Sequence, residues 1–240
     1  MMYKNFNESF FQLIEEVNQL DKSKLFDYQA RKRPVTGFAL QRDLYTNGST
    51  KNSFSLSRDY KEEYPKQEIA RMKKNALLNF DYNMRFFDKL DKGTYNANIN
   101  NVLERFPFTQ VTSLLEIDRQ DSGVYLLCLD DYNQFYVGQG KIFNRITKHW
   151  RTPLSIDRLV FGTVEDSRLS IDSFGVFDTK RIFVFPTIHD GKDVSEYRMD
   201  LLEEEIVYNV DNDYVTNRTI GGNIDGLFEA QVLRFTRDLL

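Results

Sequence analysis

Apolar positions recur in two ways along the chain: at helical spacing up to about residue 118, and in short runs separated by turns beyond it. Phe6, Phe10, Leu13, Ile14 and Val17 share one face of a helix predicted over 6–20. Ile69, Met72, Ala76, Phe80, Met84 and Phe87 do the same for a longer helix over 66–91. Between these, residues 30–60 are rich in Ser, Thr, Asn and Gly and read as loops with a short strand or turn. After residue 91 the run Gly-Thr-Tyr-Asn-Ala-Asn-Ile-Asn-Asn breaks the helical pattern, and Val102–Phe106 reads as a short helix.

From residue 121 the period changes. Residues 121–131 and 133–140 are two short apolar runs with Asp-Asp-Tyr-Asn between them, the pattern of a β-hairpin. Residues 142–150 read as a helix, and 158–164 and 181–187 as strands separated by a polar insert over about 165–180. Residues 193–210 have a helical period with Asp193 or Ser195 as cap, and 226–240 read as a closing amphipathic helix. The expected organisation is α+β: a mostly helical region over 1–118, then a compact core of sheet and helices over 119–240.

Composition narrows the class without naming it. The chain is 41% hydrophobic and 28% charged, with 20 Phe and 13 Tyr, ordinary for a water-soluble core rich in aromatics. No run of about 18 apolar residues is present, so no membrane partner is expected. The acid-bearing first residues lack a signal-peptide pattern, and a cytoplasmic setting is the simplest expectation. The single cysteine, Cys128, excludes an intrachain disulfide and a multi-cysteine zinc site. The net charge of −4 is uneven, because residues 1–115 carry 18 Lys/Arg against 14 Asp/Glu. A basic face in the first half therefore remains compatible with nucleic acid.

The hairpin carries the candidate chemistry. Gly123-Val124-Tyr125 lies on its first strand and Tyr136-Val137-Gly138 on its second; Arg145 and His149 follow one helical turn apart. Further on, a Glu203-Glu204-Glu205 run lies in a predicted helix, and Asn217 precedes Arg-Thr-Ile-Gly-Gly. This ordered set resembles the GIY-YIG nuclease superfamily over roughly residues 120–225. In that family two strands carry the GIY and YIG elements, a following helix an arginine, a later helix a glutamate, and a downstream segment an asparagine. The resemblance implies a small central antiparallel sheet flanked by helices, here with a mostly helical N-terminal extension. The Arg145/His149 pair at i, i+4 leans toward the restriction-endonuclease branch.

The resemblance also implies roles. Phosphodiester hydrolysis needs an in-line water, neutralisation of developing charge and help for the leaving oxygen. Mg²⁺ (or Mn²⁺) on one glutamate would act as Lewis acid. Only one member of the 203–205 run can point with Leu202 and Ile206; the twelve-residue spacing to Asn217 selects Glu205 as metal ligand, with Glu204 next. Arg145 would hold phosphate oxygens with permanently charged, planar donors. Tyr125 or Tyr136 would orient or deprotonate the water, and His149 would relay a proton or bind phosphate. Asn217 would fix loop geometry or the glutamate's surroundings.

The implied activity is a divalent-metal-dependent DNA endonuclease acting on double-stranded DNA, sequence-specific and restriction-like, and pairing as a homodimer if it cuts both strands. Arg71, Lys74, Arg85 and Lys89 on the 66–91 helix, and Arg31, Lys32 and Arg33 in a loop, are candidate DNA contacts. The rival readings are a non-catalytic DNA-binding or interaction protein on the same scaffold, and a structure-specific repair nuclease.

Overall fold

Two residues apart along a strand, side chains return to the same face, and strand β2 (Ser122–Leu129) uses this to face two cores at once. In the computed structural model, which describes residues 39–46, 65–151, 154 and 156–218, Tyr125, Leu127 and Leu129 enter one core. Val124, Leu126 and Cys128 enter the other. Every residue from Gly123 to Leu129 is buried, as expected for a central strand covered on both sides.

The sheet is antiparallel. Strand β1 (Thr109–Val111) pairs with β4 (Arg181–His189), β4 with β2, and β2 with β3 (Gln134–Lys141). A two-residue strand β5 (Lys192–Asp193) returns along β4 through Asp190 and Gly191, both at positive φ (47° and 73°), as a tight hairpin turn requires. Helices pack on both faces, so the architecture is α+β.

Helix α1 is a single turn (Arg42–Tyr45); α2 runs Lys66–Phe87. All six apolar residues of the predicted α2 face pack on the Tyr125/Leu127 core. The helix stops at Phe87, short of the expected residue 91. Helix α3 (Lys92–Arg105) occupies the stretch that the sequence pattern reads as a break followed by a short helix. Its Asn-rich start has low helix propensity, but Asp91 caps it by accepting from the Thr94 N–H at 2.7 Å. Tyr95, Ile99 and Val102 then bury one face in the second core, and tertiary burial outweighs propensity.

Helix α4 (Ile142–Arg151) follows β3 directly, and helix α5 (Met199–Tyr208) covers the second core with Leu202, Ile206 and Val207. Helix α5 starts later than the 193–210 period suggests. Asp193 is in β5, and the cap residue is Arg198, which makes no side-chain cap. The predicted strand over 158–164 is not formed: a 3₁₀ turn at Ile156–Arg158 leads into bends.

The chain on both sides of residue 118 shares these cores, since β1 joins the sheet and α2 and α3 cover its two faces. The expected helices over 6–20 and 226–240, the Arg31-Lys32-Arg33 loop and most of 30–60 lie outside the described residues. Among the described residues, no helix is long and apolar enough to cross a membrane.

Candidate functional site

The two triplets of the hairpin owe their glycines to close approach. Tyr125 and Gly138 are partners across β2 and β3. A Cβ on Gly138 would lie 2.5 Å from both Cζ and the hydroxyl oxygen of Tyr125, and 2.7 Å from the Tyr136 ring. Gly138 thus makes room for the Tyr125 ring to lie across β3. On the other side, a Cβ on Gly123 would lie 2.1 Å from the Phe185 carbonyl oxygen, where β2 and β4 shift register. The first glycine lets two backbones meet; the second lets a side chain cross a strand.

Tyr125 is wholly buried, and its hydroxyl sits 2.8 Å from His149 Nε2. The other imidazole nitrogen, Nδ1, is 2.6 Å from Asp172 Oδ1. Tyr136, half-buried, sets its ring edge-on to the imidazole with centroids 5.2 Å apart. The two phenol rings are 6.2 Å apart. Burial raises the pKa of Tyr125 well above the ordinary phenol value; Tyr136 adds to the rise, and the Arg145 guanidinium opposes it. Tyr136 is raised for the same first reason, burial, with Glu203 adding and Arg145 opposing. Both phenols are therefore neutral at pH 7.

Arg145 is half-buried one turn before His149, and its Nε is buried without a hydrogen-bond partner. The acid on this side of α5 is Glu203, which is 5% exposed. Burial raises its carboxyl pKa; Gln139 and Arg145 pull the other way. Its Oε2 is buried without a hydrogen-bond partner. The assignment to Glu205 is corrected by helix geometry. Two residues along a helix turn the side chain through about 200°. Glu205 accordingly points outward, 44% exposed, and pairs with Arg105 at 2.8 Å. Glu204 is exposed as well.

Asn217 performs a backbone task. Its Oδ1 accepts from the Val137 N–H at 3.0 Å, and its Nδ2 donates to the Val137 carbonyl at 2.7 Å. The side-chain amide stands in for a peptide group and continues the bridge between Phe135 and Val215 along the edge of β3. It fixes the centre of the Tyr136-Val137-Gly138 triplet.

Asp172 belongs to the segment that sequence reads as an insert. That segment is anchored firmly to α2. Asn79 Nδ2 donates to the Val164 and Ser167 carbonyls, and Asn83 both donates to Ser167 O and accepts from the Leu169 N–H. From the C-terminal side, the Arg218 guanidinium donates to the carbonyls of Arg158, Leu159 and Arg168. Of the proposed basic stripe on α2, Arg71 pairs with Glu68, and Arg85 lies over the Tyr82 ring and donates to the Asp81 carbonyl. Lys74 and Lys89 are exposed.

Tyr125, Tyr136, Arg145 and His149, expected from sequence to share a site, thus lie together, and Glu203, Gln139 and Asp172, which the sequence does not single out, lie with them. Glu203 was detectable by face, since Ile206 and Val207 lie three and four residues on and both are buried. No sequence signal ties Asp172 to His149. Among the described residues no group of three or more His, Cys, Asp or Glu could hold a metal, so a cation here would have at most two such ligands. The orphaned Glu203 oxygen fits that arrangement, because Mg²⁺ keeps several waters and needs few protein ligands. No protein-family model, curated protein or solved structure matches this chain.

Proposed function

We propose that the protein is a divalent-metal-dependent DNA endonuclease of the GIY-YIG type. The observation that carries the reading is the meeting of two phenols, a guanidinium, an imidazole and an unpartnered buried carboxylate oxygen at the hairpin. The ordered motif resemblance supports it independently of geometry.

Tyr125 is the phenol with somewhere to send a proton. Its oxygen takes a proton from the attacking water while its own passes to His149 Nε2. A preformed phenolate is not needed, which suits a hydroxyl whose pKa is raised. Tyr125 has no exposed surface, so the attacking water reaches its hydroxyl only once substrate binding shifts the side chains that cover it. Tyr136, partly open to solvent, orients that water. Arg145, half-buried, neutralises the phosphoryl oxygens with its permanently charged guanidinium. Glu203 would hold Mg²⁺ or Mn²⁺, whose chemistry when bound is Lewis-acid polarisation of the phosphate. Lys141, at the end of β3, and Lys148, next to His149 in sequence, are exposed and available to the DNA backbone.

The reading is tested by incubating the purified protein with varied duplex DNA and Mg²⁺ or Mn²⁺. Cleavage that a chelator abolishes supports it. Binding without cleavage under all conditions points instead to a non-catalytic DNA-binding protein.

A further inference from the structure

We infer that Asp172 is a positioning residue for the cleavage step: it holds His149 in the tautomer with the proton on Nδ1, leaving Nε2 as the acceptor for the Tyr125 proton. The inference rests on the nuclease reading for its consequence, though not for its geometry. An imidazole has two nitrogens, and the hydrogen bond made by one decides which nitrogen carries the proton. An ionised carboxylate only accepts, so the 2.6 Å contact to Asp172 Oδ1 requires a proton on Nδ1. The neutral ring then offers a lone pair at Nε2, 2.8 Å from a phenol that burial keeps protonated. Tyr125 donates, His149 accepts and donates on, and Asp172 accepts. In this tautomer all three donor and acceptor roles agree.

The surroundings hold Asp172 in place. The Asp172 N–H is capped by Ser170 Oγ at 3.3 Å, and the preceding residues are tied to α2 by Asn79 and Asn83. The groups facing the imidazole are Tyr125, Tyr136 and Asp172, with Arg145 one turn earlier on the same helix. Asp172 is the one carboxylate among them. A first-half helix thereby serves the site by fixing the segment that orients its histidine.

The test is Asp172→Asn, which keeps shape but can present its amide N–H to Nδ1 and so favour the opposite tautomer, with Nε2 protonated. The protein has two histidines, so ¹⁵N NMR of the imidazoles, with His189→Ala for assignment, reads His149 alone. The expected result is an Nδ1–H tautomer in the parent and a shift toward Nε2–H in the variant. The single-turnover cleavage rate should fall about 10²- to 10⁴-fold, with DNA affinity unchanged. A parent in the Nε2–H tautomer, or a variant that cuts at the parental rate, overturns the inference. If the parent cuts no DNA yet Asp172→Asn shifts the tautomer, the nuclease reading fails while the hold of Asp172 on the imidazole stands.

Discussion

Tyr125 and Gly138 face each other across the central hairpin, and the missing side chain of one is the space taken by the ring of the other. The two triplets are therefore one packing unit rather than two separate signatures. Gly138→Ala should drive the Tyr125 ring off His149, because the clash is with a packed aromatic and not a flexible side-chain end. We expect a loss of about 1–3 kcal/mol in urea unfolding, the range for overpacking a core. Gly123→Ala should cost more, since its Cβ would meet the backbone of β4. Equal effects would mean that the sheet yields where the packing says it does not.

Tyr125→Phe and Tyr136→Phe separate the two phenols. The first removes the hydroxyl bonded to His149. It should lower the cleavage rate about 10²-fold or more while leaving DNA affinity unchanged. The second should have the smaller effect on rate. The reverse order in single-turnover assays would move the proton path to Tyr136.

The carboxyl of Glu203 makes stability depend on pH in a definite direction. Its folded-state pKa is raised by burial, so ionisation penalises the folded, metal-free protein. The penalty is absent below the ordinary glutamate value of about 4.3 and develops as pH rises through the raised value. Glu203→Gln should therefore be more stable than the parent near neutral pH in chelator, and the gain should vanish toward acid pH. Adding Mg²⁺ should raise the melting temperature of the parent and not of the variant. Urea midpoints at several pH values, with and without Mg²⁺, measure both effects.

Asn217→Ala removes two hydrogen bonds to Val137 and leaves both its N–H and its carbonyl without the side-chain amide. A cost of about 1–3 kcal/mol is expected, together with faster amide exchange at Val137. Protection at Val137 unchanged by the substitution would deny Asn217 its place at the sheet edge.

Much of this arrangement was legible in the sequence, for physical reasons that can be named. The α2 face, the hairpin and β4 follow from hydrophobic period, and Tyr125, Tyr136, Arg145 and His149 are brought together because the hairpin and the next helix are contiguous. Helix α3 was obscured because a cap and a buried face, not propensity, form it. The β4–β5 turn carries a local signal in Asp190-Gly191, but β5 is only two residues long and shows no strand period. Spacing to Asn217 points to Glu205, but a helix decides by angle, and it turns Glu203 inward and Glu205 out to Arg105. Asp172 reaches His149 through an irregular segment held by distant asparagines, a relation that no local pattern encodes.

The central claim is that Glu203, with the tyrosine–histidine pair, supports metal-dependent phosphodiester cleavage. The most direct measurement is single-turnover cleavage of duplex DNA in Mg²⁺ by the parent, Glu203→Gln and Glu205→Gln. Cutting is expected from the parent and from Glu205→Gln, whose lost exposed ion pair is worth only about 0–1 kcal/mol, and none from Glu203→Gln, with all three binding DNA alike. Undiminished cutting by Glu203→Gln, or its loss only in Glu205→Gln, would contradict it.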